Sequence, residues 1–331
     1  MRRFLGLFLI VILLAGAGLS GVYALYRHPG PLAHDTAIVV PHGRPMLVIE
    51  TLQKQAVLPP GDAMRYGLRL VARLTRADGP IHAGELAFSA HASPADVLHV
   101  LRTARPVQHE LTIPEGLTAA QIALLVAHGA ALSGPTPVPQ EGSVLPETYA
   151  YERDTTREVL VDRMQQAMRR RLATVWSGRD PDIGLSGSSE LLSLASIVER
   201  ETAIAAERPL VARVFLNRLR LGMRLQSDPT VAYAASGGLG NLPRPLSRSD
   251  LAQPNPYNTY VVAGLPPGAI CAPGAASLEA VAHPAPGDAL YFVADGSGGH
   301  AFASDLPGHL RNVARLRARE IGAREMAAPA P

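Results

Sequence analysis

The sequence predicts an α+β protein: an N-terminal transmembrane helix, a module of strand and helix units, and a larger α+β domain with a helical core and a loop-rich C-terminal part. Three observations predict it. An uncharged apolar run fills residues 4–25. Short β-prone runs alternate with amphipathic helix patterns from about residue 36 to residue 126. Longer helical periodicities between residues 155 and 221 then give way to turn-rich sequence with one late hairpin. The expected boundaries are 1–28 for the cytoplasmic tail and anchor, 29–110 for the module, 111–322 for the larger domain and 323–331 for a disordered tail.

A chain of 331 residues, 47% hydrophobic and 18% charged, has room for two cores. Its net charge is only +3, with no Lys or Arg block interleaved with aromatics, so nucleic acid is not an expected partner. Cys271 is the sole cysteine, which excludes an internal disulfide and a multi-cysteine metal site. No P-loop, dinucleotide fingerprint, HExxH motif or metal-spaced Cys/His cluster is present, so neither cofactor nor metal is expected. Chemistry falls to carboxylates, hydroxyls, amides and histidines.

The apolar run of about 22 residues is long enough to cross the hydrocarbon core as a helix. Arg2 and Arg3 favour a cytoplasmic amino terminus, while Arg27 on the far side weakens the asymmetry. Ala15-Gly16-Ala17 has the small residues of a signal-cleavage site, but the run continues well past Ala17, which favours an anchor. Either way the rest of the chain lies outside the cytoplasm.

The module repeats a β-prone run, a Pro, Gly or Ser break, and a helix. The first copy runs from Ala37-Ile38-Val39-Val40 through Pro41 and Gly43 to a helix over residues 47–52. In the second, Glu85-Leu86-Ala87-Phe88 leads to Ser93-Pro94, a cap with proline at the first helical position, and then to Val97, Leu98 and Leu101. The third is Leu111-Thr112-Ile113, with Thr118 as cap before Ile122 and Leu125. Such units suit a glycan- or peptide-binding module and equally a plain spacer.

Residues 155–176 form an amphipathic helix through Val159, Leu160, Met164, Met168 and Leu172, and residues 205–221 another through Val211, Val214, Phe215 and Leu219. Beyond Gly222 turn residues dominate, and loops that long are usually functional. A strand over residues 289–294, an Asp295-Gly296 turn and the segment after Gly298 read as a hairpin, followed by a basic helix over residues 306–320.

Between the two long helices, residues 191–202 carry an anomaly. At about 100° per residue, Leu191, Leu194, Ala195 and Val198 make one stripe, widened by Leu192 and Ile197, and Glu199 and Glu201 both fall inside that apolar arc. Ser193, Ser196 and Arg200 make the polar back. A glutamate in apolar surroundings resists ionisation, as a general acid must, although a buried glutamate tied to an arginine fits the pattern as well. His283 and His300, in Gly- or Pro-flanked loops, suit either a catalytic or a structural role. Tyr257, Asn258, Thr259 and Tyr260 offer two aromatic faces with an amide and a hydroxyl between them, which suits sugar stacking or plain packing. Gln226-Ser227-Asp228-Pro229-Thr230 suits a substrate amide or helix capping.

Several segments in order resemble the endolytic murein transglycosylase (MltG, YceG-like) family. They are residues 195–202, 214–219 and 222–231, then Pro256-Tyr257-Asn258-Thr259-Tyr260, Gly264-Leu265-Pro266-Pro267-Gly268, Ala282-His283-Pro284 and residues 291–300. The anchor and a LysM-like reading of residues 29–110 agree with that family's architecture. The resemblance implies a cytoplasmic (inner) membrane enzyme, single-pass, with its catalytic domain in the periplasm or outside. It would cut the MurNAc-GlcNAc bond of nascent peptidoglycan glycan strands, leave 1,6-anhydro-MurNAc ends and so terminate elongation, with peptidoglycan synthases as possible partners. It also implies that Glu201, second Glu of the Glu-x-Glu-Thr motif, is the catalytic carboxylate. Glu147 departs from the Asp common in relatives but keeps the charge.

In the implied mechanism Glu201 protonates the glycosidic oxygen and then takes the proton of the muramyl C6 hydroxyl as it attacks C1. Gln226, Asn258 and Tyr260 are the expected substrate contacts, and Glu199 a structural or supporting residue. Two readings compete: a muramidase using water as acceptor, and a non-catalytic, membrane-anchored peptidoglycan-binding scaffold.

Overall fold

A computed structural model describes residues 2–327, leaving aside the side chains of residues 2–11, Ala15 and 322–327. Its contacts divide the chain into two compact units, Met1–His109 with Ala150–Asp154, and Glu110–Tyr149 with Thr155–Pro331.

The first unit contains α1 (Arg2–Arg27), β1 (Thr36–Val40), α2 (Pro45–Lys54), α3 (Asp62–Leu74), β2 (Gly84–Phe88) and α4 (Pro94–Thr103). β1 and β2 pair antiparallel, with Thr36 opposite Phe88 and Val40 opposite Gly84. The pleat turns Ile38 and Val40 inward, where they join Ile49 and Leu52 of α2, Leu86 and Phe88 of β2, and Val97 and Leu101 of α4. α4 starts with a capping box: the Ser93 hydroxyl accepts from the Asp96 amide, and the Asp96 carboxylate accepts from the Ser93 amide. α3 was not expected: Met64, Leu68, Val71 and Ala72 form its core-facing stripe, but Tyr66, Leu70 and Leu74 are apolar and exposed, which blurs that stripe in the sequence. Glu85 is buried and accepts two 3.0 Å hydrogen bonds from Arg153 and one partnership at 2.6 Å with His109. The Arg153 bonds hold its carboxyl below the usual range, and they attach Ala150–Asp154 to this unit.

Among the described residues no helix is long and apolar enough to cross a membrane. The span expected over residues 4–25 lies in part outside them, since the side chains of residues 4–11 and Ala15 are left aside.

β3 (Gln108–Thr112) pairs with β4 (Thr148–Glu152). The second unit then holds α5 (Ala119–Ala127), α6 (Arg157–Gly178), α7 (Ser188–Glu201), α8 (Arg208–Arg220), α9 (Asp228–Ala235), α10 (Arg248–Ala252), α11 (Ala275–Ala282), β5 (Tyr291–Ala294), β6 (His300–Ala303) and α12 (Leu306–Ala327). α7 is the central element, packed against α6, α8, α9 and α11. Its Leu191, Leu194, Ile197 and Val198 meet Met168 and Val175 of α6, Phe215 of α8, and Leu278 and Val281 of α11.

Two expectations about this region need correction. The segment beyond Gly222 is not loop throughout: α9, α10 and α11 lie in it, and α11 completes the core. α11 has only eight residues, too few for helical periodicity to stand out. Nor do Ser193 and Ser196 form an exposed polar back, for both are buried. Ser193 donates to the Gly268 carbonyl, while Ser196 donates to the Ser193 carbonyl and accepts from the Ile270 amide. Small hydroxyls let residues 268–270 pack on the helix with their backbone groups satisfied. At the C-terminus α12 runs through Ala327, past its expected end at Glu320, and the expected tail at 323–331 lies partly outside the described residues.

Candidate active site

Glu201 is the last residue of α7, since Thr202 turns extended at φ −140°, ψ 131°. The C-terminal end of a helix carries partial negative charge and opposes a second one. Burial is the larger effect: it raises the Glu201 carboxyl to about 7, aided by nearby Asp228 and opposed by a hydrogen bond from Ser227 and by the charges of His300 and Arg218. One carboxyl oxygen, Oε1, accepts from the Ser227 hydroxyl. Among the described residues no hydrogen bond reaches the other oxygen, Oε2.

Ser227 is itself fixed on every side. Its amide donates to Thr259 Oγ1 at 2.9 Å, and its carbonyl accepts from Thr230 Oγ1 at 2.7 Å. Ser227 is the N-cap residue of α9, yet its hydroxyl does not cap that helix and goes to Glu201 instead. The next residue, Asp228, accepts from the Tyr260 hydroxyl at 2.6 Å. Burial, together with this acceptor, keeps the Tyr260 phenol protonated well above its usual range.

Behind Glu201, the Thr202 hydroxyl donates to Glu207, and Glu207 binds both the His300 amide at 2.8 Å and its ring Nδ1 at 2.6 Å. Burial pulls the Glu207 carboxyl upward, but the His300 bonds outweigh it and the group sits below its usual range. His300 thus ties the β5–β6 hairpin to the end of α7. His283 is exposed and pairs with Asp180 at 2.8 Å, away from these groups. Arg218 is buried, donates to the carbonyls of Leu290 and Leu225 at 2.7 Å, and holds the segment leading into Ser227.

The other expected site residues separate. Tyr260 joins the Glu201 surroundings. Gln226 is exposed, in the left-handed region at φ +50°, and its backbone N–H donates to the Thr259 carbonyl. Asn258 is 1% exposed, and its amide is committed to backbone: Nδ2 donates to the carbonyls of Asp250, Leu251 and Gln253, and Oδ1 accepts from the Tyr260 amide. Asn258 therefore builds the loop that presents Tyr260. Asn258→Ala should cost about 3 kcal/mol, since several buried backbone groups lose their partner, and chemical denaturation reads it directly. Glu199 points elsewhere, accepting from Arg208 at 3.2 Å and from the Gly274 amide at 2.9 Å. Sequence reasoning passed over Ser227 as an acid partner because Ser before Asp-Pro reads as an ordinary cap, and over Glu207 because nothing in its surroundings marks it.

Residues 38–315 match the model of the YceG-like family. The chain is 36% identical over 181 residues to the endolytic murein transglycosylase of Streptococcus pneumoniae D39, covering 53% of this chain and 32% of that one. It is 37% identical over 172 residues to the endolytic murein transglycosylase of Bacillus subtilis 168, covering 52% and 46%. The chain thus spans from a third to about half the length of these curated relatives. The crystal structure of a YceG-like protein from Listeria monocytogenes superimposes with a TM-score of 0.52 at 26% identity, covering 84% of this chain and 99% of that one.

Proposed function

Since the chain belongs to the YceG-like family, we propose that it is a membrane-anchored endolytic lytic transglycosylase that cuts peptidoglycan glycan strands with Glu201 as acid and base. One observation carries this reading: a single carboxyl, raised to about 7, has one oxygen held by Ser227 and the other reached by no hydrogen bond among the described residues. A carboxyl of that kind holds a proton near neutral pH and can still part with it. Glu201 gives the proton to the oxygen linking MurNAc to GlcNAc, and the GlcNAc unit leaves with it as its C4 hydroxyl. Positive charge develops on the muramyl C1. Glu201, now carboxylate, takes the proton of the C6 hydroxyl, whose oxygen closes on C1, so a 1,6-anhydro end forms and Glu201 regains its proton. Attack within one sugar has a large effective-molarity advantage over bulk water.

The 22-residue apolar run within α1 supports a single-pass anchor with the amino terminus in the cytoplasm and both units outside it. The order strand, helix, helix, strand from β1 to β2 supports the LysM-like reading of the first unit. Asp228 favours one second reading, a muramidase, because a retaining or inverting hydrolase needs a second carboxylate near the acid. Product mass separates the two. Digesting uncrosslinked glycan strands with the full chain in detergent should release anhydro ends, lighter by one water than hydrolytic ends; reducing ends would rule the transglycosylase out.

Ser227→Ala tests the proton-holding arrangement. The Ser227 hydrogen bond lowers the Glu201 carboxyl, so its loss should move the alkaline limb of the pH-rate profile to higher pH and slow turnover about tenfold. An unmoved alkaline limb would detach that limb from Glu201.

A further inference from the structure

Arg200 precedes Glu201 and lies about 100° around α7 from it, where it lines a groove. We propose that this groove binds a carboxylate of the peptide stem carried by the muramic acid on which Glu201 acts, an inference that rests on the proposed glycan cleavage. The groove, about 560 Å³, is lined by Arg200, Asp228, Pro229, Asn241, Arg244 and Leu246 among others.

Its charges are unevenly matched. Arg244 is neutralised by Asp250 through two bonds at 2.6 and 2.9 Å. Asp228 accepts from Tyr260 and marks the end of the groove towards Glu201. Arg200, by contrast, has only neutral acceptors: Nη1 donates to the Gly116 carbonyl at 3.3 Å, and Nη2 to the Gly240 carbonyl at 3.1 Å and to Asn241 Oδ1 at 2.9 Å. Among the described residues no carboxylate pairs with it, and a guanidinium has five N–H donors, so charge and donors remain for a ligand. Gly116 at φ +77° and Gly240 at φ +75° bring two backbones up to the guanidinium and hold it in place. A fixed cation with unspent donors is a carboxylate receptor.

The stem fits by position as well as by charge. It is joined through a lactyl ether at C3 of the same ring whose C1 reacts, so it leaves the sugar close to the scissile bond. A groove sharing Asp228 with the Glu201 surroundings is where it would run, with Pro229 and Leu246 as apolar wall for its alkyl groups.

Arg200 bonded to three oxygens also fits a purely structural strut, and Asn241→Asp separates the roles. Aspartate keeps the oxygen that accepts from Arg200 but adds a negative charge to the groove at an exposed position. The readout is the ratio of kcat/KM for stem-bearing over stem-free glycan strands, measured with the full chain by release of anhydro ends. Wild type should prefer stem-bearing strands, and Asn241→Asp should lower the ratio about fivefold, mainly through KM and less so in high salt. Binding of a muramoyl peptide to the Glu201→Gln protein gives a second readout free of turnover, and Arg200→Gln should weaken it by a similar factor. An unchanged ratio in Asn241→Asp, or a wild type indifferent to stems, overturns the proposal while leaving cleavage intact. Absence of anhydro ends from both strand types overturns the underlying reading instead.

Discussion

Glu201→Gln should lower the release of anhydro ends by about a thousandfold or more, since the amide can neither give nor take the proton, while making the folded protein more stable at alkaline pH. The second half follows from burial. The folded carboxyl sits at about 7 against an ordinary 4.5, so the folded state keeps a proton that the unfolded chain releases. Below the ordinary value both states are neutral and Glu201 costs nothing. As pH rises from there the unfolded chain ionises first and stability falls, until above about 7 both states are charged and the full cost is present. At about 1.4 kcal/mol per pH unit the gap amounts to roughly 3 kcal/mol. Glutamine has no such proton, so the variant should match wild type at pH ~4 and exceed it by ~3 kcal/mol at pH ~8. Denaturant midpoints at the two pH values measure this, and a gain independent of pH would mean that Glu201 is not the buried acid.

The sequence showed the acid more clearly than its setting. The apolar arc of α7 was legible because Leu191, Leu194, Ile197 and Val198 repeat at helical spacing over a long element, and all four are fully buried. Periodicity placed Glu199 and Glu201 equally inside that arc and had no means of ranking them. What separates them is what the fold brings to each: Ser227 and Asp228 come up to Glu201, whereas Arg208 and the Gly274 amide come up to Glu199. Asn258 shows the reverse case. A buried side chain saturated by backbone and an exposed one free to meet a sugar look the same in a string of letters, and only the fold, by wrapping residues 250–253 around the amide, decides. α11 escaped notice for a similar reason, since two turns of Ala-rich sequence acquire a role only once α6, α7 and α8 surround them.

Glu199→Gln should act in the opposite sense to the change two residues on: it should destabilise the protein and leave the chemistry largely in place. Glu199 and Arg208 form an ion pair at 3.2 Å, with side chains only 6% and 12% exposed. Removing one charge leaves the other buried without its main partner, which costs about 3 kcal/mol. Glu115 contacts the same guanidinium at 3.5 Å but is 43% exposed and screened by water, so it offsets little. For a domain of this size the midpoint should fall by about 8 °C, and cleavage per folded molecule below that temperature should stay within a few fold of wild type. A buried pair replaced as a whole often costs little, so Glu199→Met combined with Arg208→Met should recover part of the loss, a coupling that a double-mutant cycle measures. The decisive comparison lies between the neighbours. If Glu199→Gln abolished anhydro ends at an unchanged midpoint while Glu201→Gln spared them, the acid would be Glu199, and the Ser227 arrangement around Glu201 would be mere scaffolding.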